Sequence, residues 1–241
     1  MVRISPSCTM KAMGLLEQMA PNLGGVIRRD AWWMGWNTLL AWVPVALAWG
    51  LFRGGADRSV SRSPLWWAGL VLFVLFLPNA PYVVTDLFHL PYDLWPADHD
   101  GPVVTAVLPV YAAFIGSGLL AYYLALAGVR RYLGRIGLGV WQGRVTVAAH
   151  ALCAVGIFLG RSAHLNSWEL VIDPHGTFEG IVLHLTWRWA PALVLATFLV
   201  TWTGHFMTKA IAEAARDAIL QGARRLHMTP THGRSPESPE S

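Results

Sequence analysis

Charged side chains are scarce: Asp, Glu, Lys and Arg make up 13% of the 241 residues, against roughly a quarter in an ordinary soluble domain. With 54% hydrophobic residues and a mean hydropathy of +0.43, a soluble fold would carry more apolar surface than it can hide. Cysteine is nearly absent. Cys8 and Cys153 lie far apart and outside any paired spacing, so neither a disulfide framework nor a thiolate metal site is expected and both read as free thiols. No G-x-x-x-x-G-K-[ST], H-E-x-x-H or G-x-S-x-G run occurs, so a P-loop, a zincin site and a nucleophile elbow all lack their signatures. Residues 1–30 contain no apolar core bounded by a small-residue cleavage site, and no removable signal peptide is expected. The net charge of +4 comes from arginines flanking apolar runs rather than from a basic stripe interleaved with aromatics, so no nucleic-acid partner is expected.

What the chain does contain is apolar runs of membrane-crossing length. A helix needs about 20 mainly apolar residues to cross the bilayer, and five such runs occur, at about 32–52, 64–84, 103–127, 145–163 and 181–206. The fold class expected is therefore all-α, a polytopic transmembrane bundle whose first partner is the lipid bilayer. Trp32, Trp33, Trp66, Trp67 and Trp141 sit beside these runs, where indole rings favour the headgroup boundary. The organisation expected is an N-terminal arm (1–31), an integral membrane domain (32–207), a cytoplasmic amphipathic helix (208–228) and a disordered tail (229–241). The amphipathic helix rests on Ile211, Ala215, Ile219 and Ala223 sharing one face. The tail is rich in Pro, Ser, Glu and Gly with nothing to bury.

Basic residues are retained on the cytoplasmic side, so the links can be sorted by counting them. Arg53, Arg58 and Arg62 follow the first run, and Arg130, Arg131, Arg135 and Arg144 follow the third. The 82–102 link has no Lys or Arg, and the fourth holds Glu169, Asp173 and Glu179. The second and fourth links are thereby assigned outside and the C-terminus to the cytoplasm. An odd span count then puts the N-terminus outside, against Arg28 and Arg29. Either the arginine-rich loops outweigh that pair, or the second run is re-entrant. The first resolution is preferred, since re-entry would put arginine-rich and acidic flanks on one side. The glycine-rich stretch at 134–143 is expected to be a flexible inner loop.

Half of the fourteen acidic residues, namely Asp86, Asp93, Asp98, Asp100, Glu169, Asp173 and Glu179, fall in the two outer links with His89, His99, His164 and His175. The densest segment is LPNAPYVVTDLFHLPYD, residues 77–93. Pro78 and Pro81 remove backbone donors, leaving carbonyls near Leu75 to Leu77 in need of substitutes, and Asn79 is a natural local donor. Asp86 and His89 are three apart and share a helical face. A carboxylate beside an imidazole can hold a divalent metal or move protons, which makes Asp86, His89 and Asp93 metal candidates and Asp86, His89 and Glu169 catalytic candidates. The plainer reading is that Asp86 orients His89 and caps local structure.

The second segment is FLGRSAHLNSWELVIDP, residues 158–174. An arginine at the end of a span usually snorkels or pairs with a carboxylate, so Arg161 is expected to pair with Glu169 or Asp86, with Trp168 anchored among headgroups. The functional alternative has Arg161 and Asn166 holding an anionic headgroup or substrate beside Asp86. Asn79, Asp93, Arg161, Asn166 and Trp168 are thus the ligand-binding candidates. Within the runs, Asn37, His150, His184 and Arg188 are polar outliers. His150 and Arg161 are eleven apart and line one stripe, expected to face protein. His184 and Arg188 read as an i,i+4 pair near the outer end of the fifth span.

These two segments, LPNAPYVVTDLFHL with Tyr92 and Asp93, and FLGRSAHLNSWE, resemble the bacterial membrane-protein family catalogued as domain of unknown function 1361. The stretch NTLLAWVP from Asn37 to Pro44 is similar to that family's first span. The family pattern usually has Asp where this chain has Glu169, and a bulkier or basic residue near Ser162 to His164. The resemblance implies a bacterial multi-span membrane protein and brings no established activity, cofactor or catalytic residue.

Three functions from different classes follow. The leading one is a small membrane enzyme or a lipid-headgroup- or ligand-binding protein, built on the outward cluster of Asp86, His89, Asp93, Arg161, Asn166 and Glu169. A transporter or channel component is the second, since transporters build sites on broken helices, with a homo-oligomer supplying the pathway. The third is a non-catalytic subunit that uses its C-terminal helix against a membrane partner.

Overall fold

The computed structural model describes residues 31–53, 63–90, 101–162 and 172–227. Among these the chain is helical, with no strand. In hydrocarbon every backbone N–H and C=O must be satisfied within the segment, which a helix does and an open strand does not. The order is α1 (Ala31–Phe52), α2 (Pro64–Phe76), α3 (Asn79–Tyr82) with a 3₁₀ turn (Val83–His89), α4 (Gly101–Arg135), a short 3₁₀ turn (Gly139–Trp141), α5 (Gln142–Ser162), α6 (Pro174–Leu185) and α7 (Ala190–His227). Five helical segments are long and apolar enough to cross a membrane: Ala31–Phe52, Pro64–Leu87, Val107–Arg135, Gly139–Ser162 and Ala190–Ala223.

The bundle is turned out relative to a soluble protein. Leu39, Leu65, Val71, Leu195 and Leu199 are exposed, while Asp86, His150, Thr201 and His205 are buried. Apolar side chains facing outward suit a lipid solvent, and the polar ones are gathered inside. Small residues let the helices approach closely. Ala41 and Ala48 of α1 are buried, as are Ala121 and Ala125 of α4, and a Cβ on Gly128 would lie 3.4 Å from that of Ala48. The indole of Trp42 donates to Ser117 Oγ across the same interface at 2.9 Å.

Two ends of the bundle are chemically distinct. At one, Arg135 donates to the carbonyls of Phe52 and Arg53, closing the C-terminus of α1. Phe52 packs on Phe73 and Tyr132 at 5.3 Å, and Trp66 at the start of α2 donates to Leu51 O at 3.3 Å. At the opposite end Asp86 meets Arg161 and Asn37. The second run therefore crosses from one end to the other rather than turning back. The glycine-rich stretch is a tight turn: Leu138 N donates to Leu133 O at 2.8 Å, and Gly137 has φ 80°, the left-handed region that suits glycine at a helix C-terminus.

The largest difference from expectation lies in the last run. It is divided: residues 181–185 belong to α6, which starts at Pro174, and a turn separates α6 from α7 at Ala190. Asp173 caps α6 by accepting from Gly176 N at 3.0 Å, and Pro174 at the first position has no N–H to lose. At twelve residues α6 is about 18 Å long, too short to cross, and it exposes Phe178 and Leu183. His184 and Arg188 are consequently not a pair on one span. His184 Nδ1 bonds Gly180 O at 2.8 Å, and Arg188 lies over the Trp189 ring at 4.8 Å. The span itself is α7, whose 38 residues reach about 57 Å, well beyond a ~30 Å hydrocarbon core.

Candidate functional site

The site begins with the proline break. Pro78 and Pro81 cannot donate, so the carbonyls above them are taken by other groups. Asn79 Nδ2 donates to Phe76 O at 3.1 Å, the local donor role expected of it, and Ala80 N reaches Leu77 O at 3.2 Å. The broken segment sits against glycines of two neighbouring spans. A Cβ on Gly118 of α4 would collide with Val83 and lie 2.7 Å from Ala80 O, and one on Gly156 of α5 would lie 2.8 Å from Pro78. Only a bare backbone allows that approach.

Seated this way, the segment turns three residues onto Arg161 of α5. Asp86 forms an ion pair with Arg161 Nη2. Thr85 Oγ1 accepts from Arg161 Nε at 2.9 Å and itself donates to Tyr82 O at 2.7 Å. The Tyr82 ring lies 4.8 Å from the guanidinium carbon, close enough for a cation–π contact. From α1, Asn37 Nδ2 donates to the other Asp86 oxygen at 3.4 Å. Asp86 is 2% exposed, whereas the Arg161 side chain keeps 33% of its surface. The carboxylate is enclosed while the Arg161 side chain keeps exposed surface, so of the two Arg161 is the group able to meet a ligand. Of the two expected partners of Arg161, Asp86 is the one observed. The side chain of His89, and Asp93, Asn166, Trp168 and Glu169, lie outside the described residues. Among the described residues no group of three or more His, Cys, Asp or Glu side chains is placed to hold a metal ion.

A second polar group lies nearer the middle of the bundle. Tyr122 OH bonds His150 Nδ1 at 2.9 Å, and the His205 ring stands 5.1 Å from that of His150. Trp202 lies 5.2 Å from His150 on another side, and Cys153 is buried beside this group one turn along α5. His150 Nε2 and His205 Nδ1 are buried without a hydrogen-bond partner. His150 does face protein, as its stripe with Arg161 requires. The meeting with His205 and Tyr122 was not apparent from the sequence. Its only signal was spacing, His150 with Cys153 three apart and Thr201 with His205 four apart.

Residues 36–203, more than half of the chain, match the family described as Protein of unknown function (DUF1361). The chain belongs to that family. The DUF1361 match takes in Asn37, Asp86, His150 and Arg161 and stops short of His205 and Lys209. No curated protein and no solved structure matches the chain.

Proposed function

We propose that this integral membrane protein binds a phosphate- or carboxylate-bearing ligand, such as an anionic lipid headgroup, through Arg161 at the outer face of a bacterial plasma membrane. The observation that carries this reading is the asymmetry of the ion pair, an enclosed carboxylate paired with an arginine whose side chain stays one-third exposed. Arginine presents five donors in a rigid fork, and Asp86 and Thr85 engage only its Nη2 and Nε. Asp86, held by Arg161 and Asn37, acts as a positioning residue. The crowding of Arg130, Arg131, Arg135, Arg144, Lys209 and Arg216 towards the other end, the pattern retained on the cytoplasmic side, supports this orientation, with α7 ending in the cytoplasm.

Native mass spectrometry of the full chain released from phosphatidylcholine nanodiscs containing phosphatidylglycerol tests this. Wild type retains phosphatidylglycerol in preference to phosphatidylcholine. Arg161→Gln weakens one bound lipid at least tenfold, and Arg161→Lys, which keeps the charge but loses the fork, weakens it less. Undiminished retention by folded Arg161→Gln overturns the reading.

A further inference from the structure

Where α4, α5 and α7 converge at the basic end, a crevice of about 330 Å³ opens between them. Its size falls at the low end of small-ligand pockets, roughly 300–1,000 Å³. Tyr123, Arg130, Arg131, Gln142, His205 and Lys209 line it. The walls are built by the fold rather than by loose surface side chains. Gln142 Nε2 donates to Arg130 O at 2.9 Å, pinning the start of α5 to the end of α4. Lys209 stands one helical turn beyond His205 on α7, so both are presented to the same space. Glu213 also lines the crevice. Its contact with Lys209 is long, 3.8 Å, and its side chain is 60% exposed, so the lining keeps an excess of positive charge.

A second observation is independent of that charge. His205 is 3% exposed, yet it lines the crevice and its Nδ1 has no hydrogen-bond partner. A buried polar atom without a partner is costly, about 1–3 kcal/mol. Tyr122, Tyr123, His150 and Phe206 pack around the ring, and the imidazole also borders the crevice. Three cations around a pocket floored by an imidazole suit a compact anion carrying several acceptor oxygens.

We propose that this crevice is a second binding site, for a phosphate group, with Arg130 and Lys209 clamping the oxygens and His205 as its floor. It lies at the opposite end of the bundle from Arg161 and does not depend on that site. Basic pockets between spans on the cytoplasmic side take anionic lipid headgroups, and a free phosphate offers the same chemistry.

The test uses full-length protein in phosphatidylcholine nanodiscs with two probes, phosphatidylglycerol read by native mass spectrometry and inorganic phosphate read by thermal stabilisation. All variants are built on Arg161→Gln, so that a failure of the outer site is read separately. Retention of phosphatidylglycerol alone assigns the phosphate to a lipid; stabilisation by inorganic phosphate assigns it to a soluble ligand. In either case Arg130→Gln/Lys209→Gln weakens binding at least tenfold, His205→Gln weakens it less, and Lys209→Arg retains it. Failure of both probes, or full binding by the folded Arg130→Gln/Lys209→Gln protein, overturns the proposal.

Discussion

The Asp86–Arg161 pair and the Tyr122–His150–His205 cluster both keep polar atoms inside an apolar bundle, and they do so differently. The first is ionic, lies near one end of the spans, and sets Tyr82, Thr85 and Asp86 around one guanidinium, with Asn37 donating to the carboxylate. The second lies deeper and carries no opposite charge. One hydrogen bond joins its rings, Tyr122 OH to His150 Nδ1, and two ring nitrogens are left without partners. An imidazole can be uncharged, so an unpartnered nitrogen costs it only about 1–3 kcal/mol. A bare carboxylate or guanidinium has no such refuge and must be compensated. The lesson is that charge is held where several elements converge near the boundary, while deeper positions are left to groups able to shed it.

That contrast is broken most forcefully at Asp86. Asp86→Leu leaves Arg161 without its counter-charge, and removal of one partner of a buried pair costs about 3–5 kcal/mol. The low end applies, because the Arg161 side chain is one-third exposed. The paired variant Asp86→Leu/Arg161→Met removes both charges and is expected to recover most of the loss, as apolar replacement of a whole ion pair often does. Unfolding in mild detergent, followed by tryptophan fluorescence, reads all three proteins. Equal destabilisation of the single and paired variants would mean that shape, not charge compensation, makes Asp86 necessary.

Much of this architecture was legible in the sequence for one physical reason: lipid demands long apolar helices, and length with hydropathy finds them. The break in the second run was legible too, because Pro78 and Pro81 delete specific donors and Asn79 stands beside the orphaned carbonyls. Legibility failed where apolar residues continue across a boundary. Leu183 and Leu185 look like span, yet they belong to α6, and the turn at 186–189 holds no proline or glycine itself; the signal it leaves is Pro191 in the first turn of α7. Pairings between distant segments were only partly accessible. Arg161 needed a carboxylate and Asp86 was one of two offered, but nothing in spacing alone brings Asn37 or His205 to their partners.

The deeper cluster responds more weakly. Tyr122→Phe removes the hydroxyl that bonds His150 Nδ1 and leaves that imidazole with no partner at either nitrogen. A loss of about 1–3 kcal/mol is expected, smaller than at Asp86 because no uncompensated charge is created. Tyr122→Phe/His150→Leu should be less destabilised than the sum of its single variants, since no buried polar atom of the pair remains. Strict additivity in a double-mutant cycle would deny that the two side chains are coupled.

The smallest effect is expected at the edge of the ionic group, where Asn37 donates to Asp86 across 3.4 Å. That distance lies beyond the usual 2.7–3.2 Å range, and Asp86 retains Arg161 when Asn37 is lost. Asn37→Ala should therefore cost no more than about 0.5–1.5 kcal/mol. In the Asp86→Leu/Arg161→Met background the acceptor is gone and the same substitution should cost less still. The comparison of these two losses in the fluorescence unfolding assay isolates what Asn37 contributes through the carboxylate. A full-sized loss in both backgrounds would make Asn37 a packing residue of α1 and leave the ion pair to be held by α5 and the proline-broken segment alone.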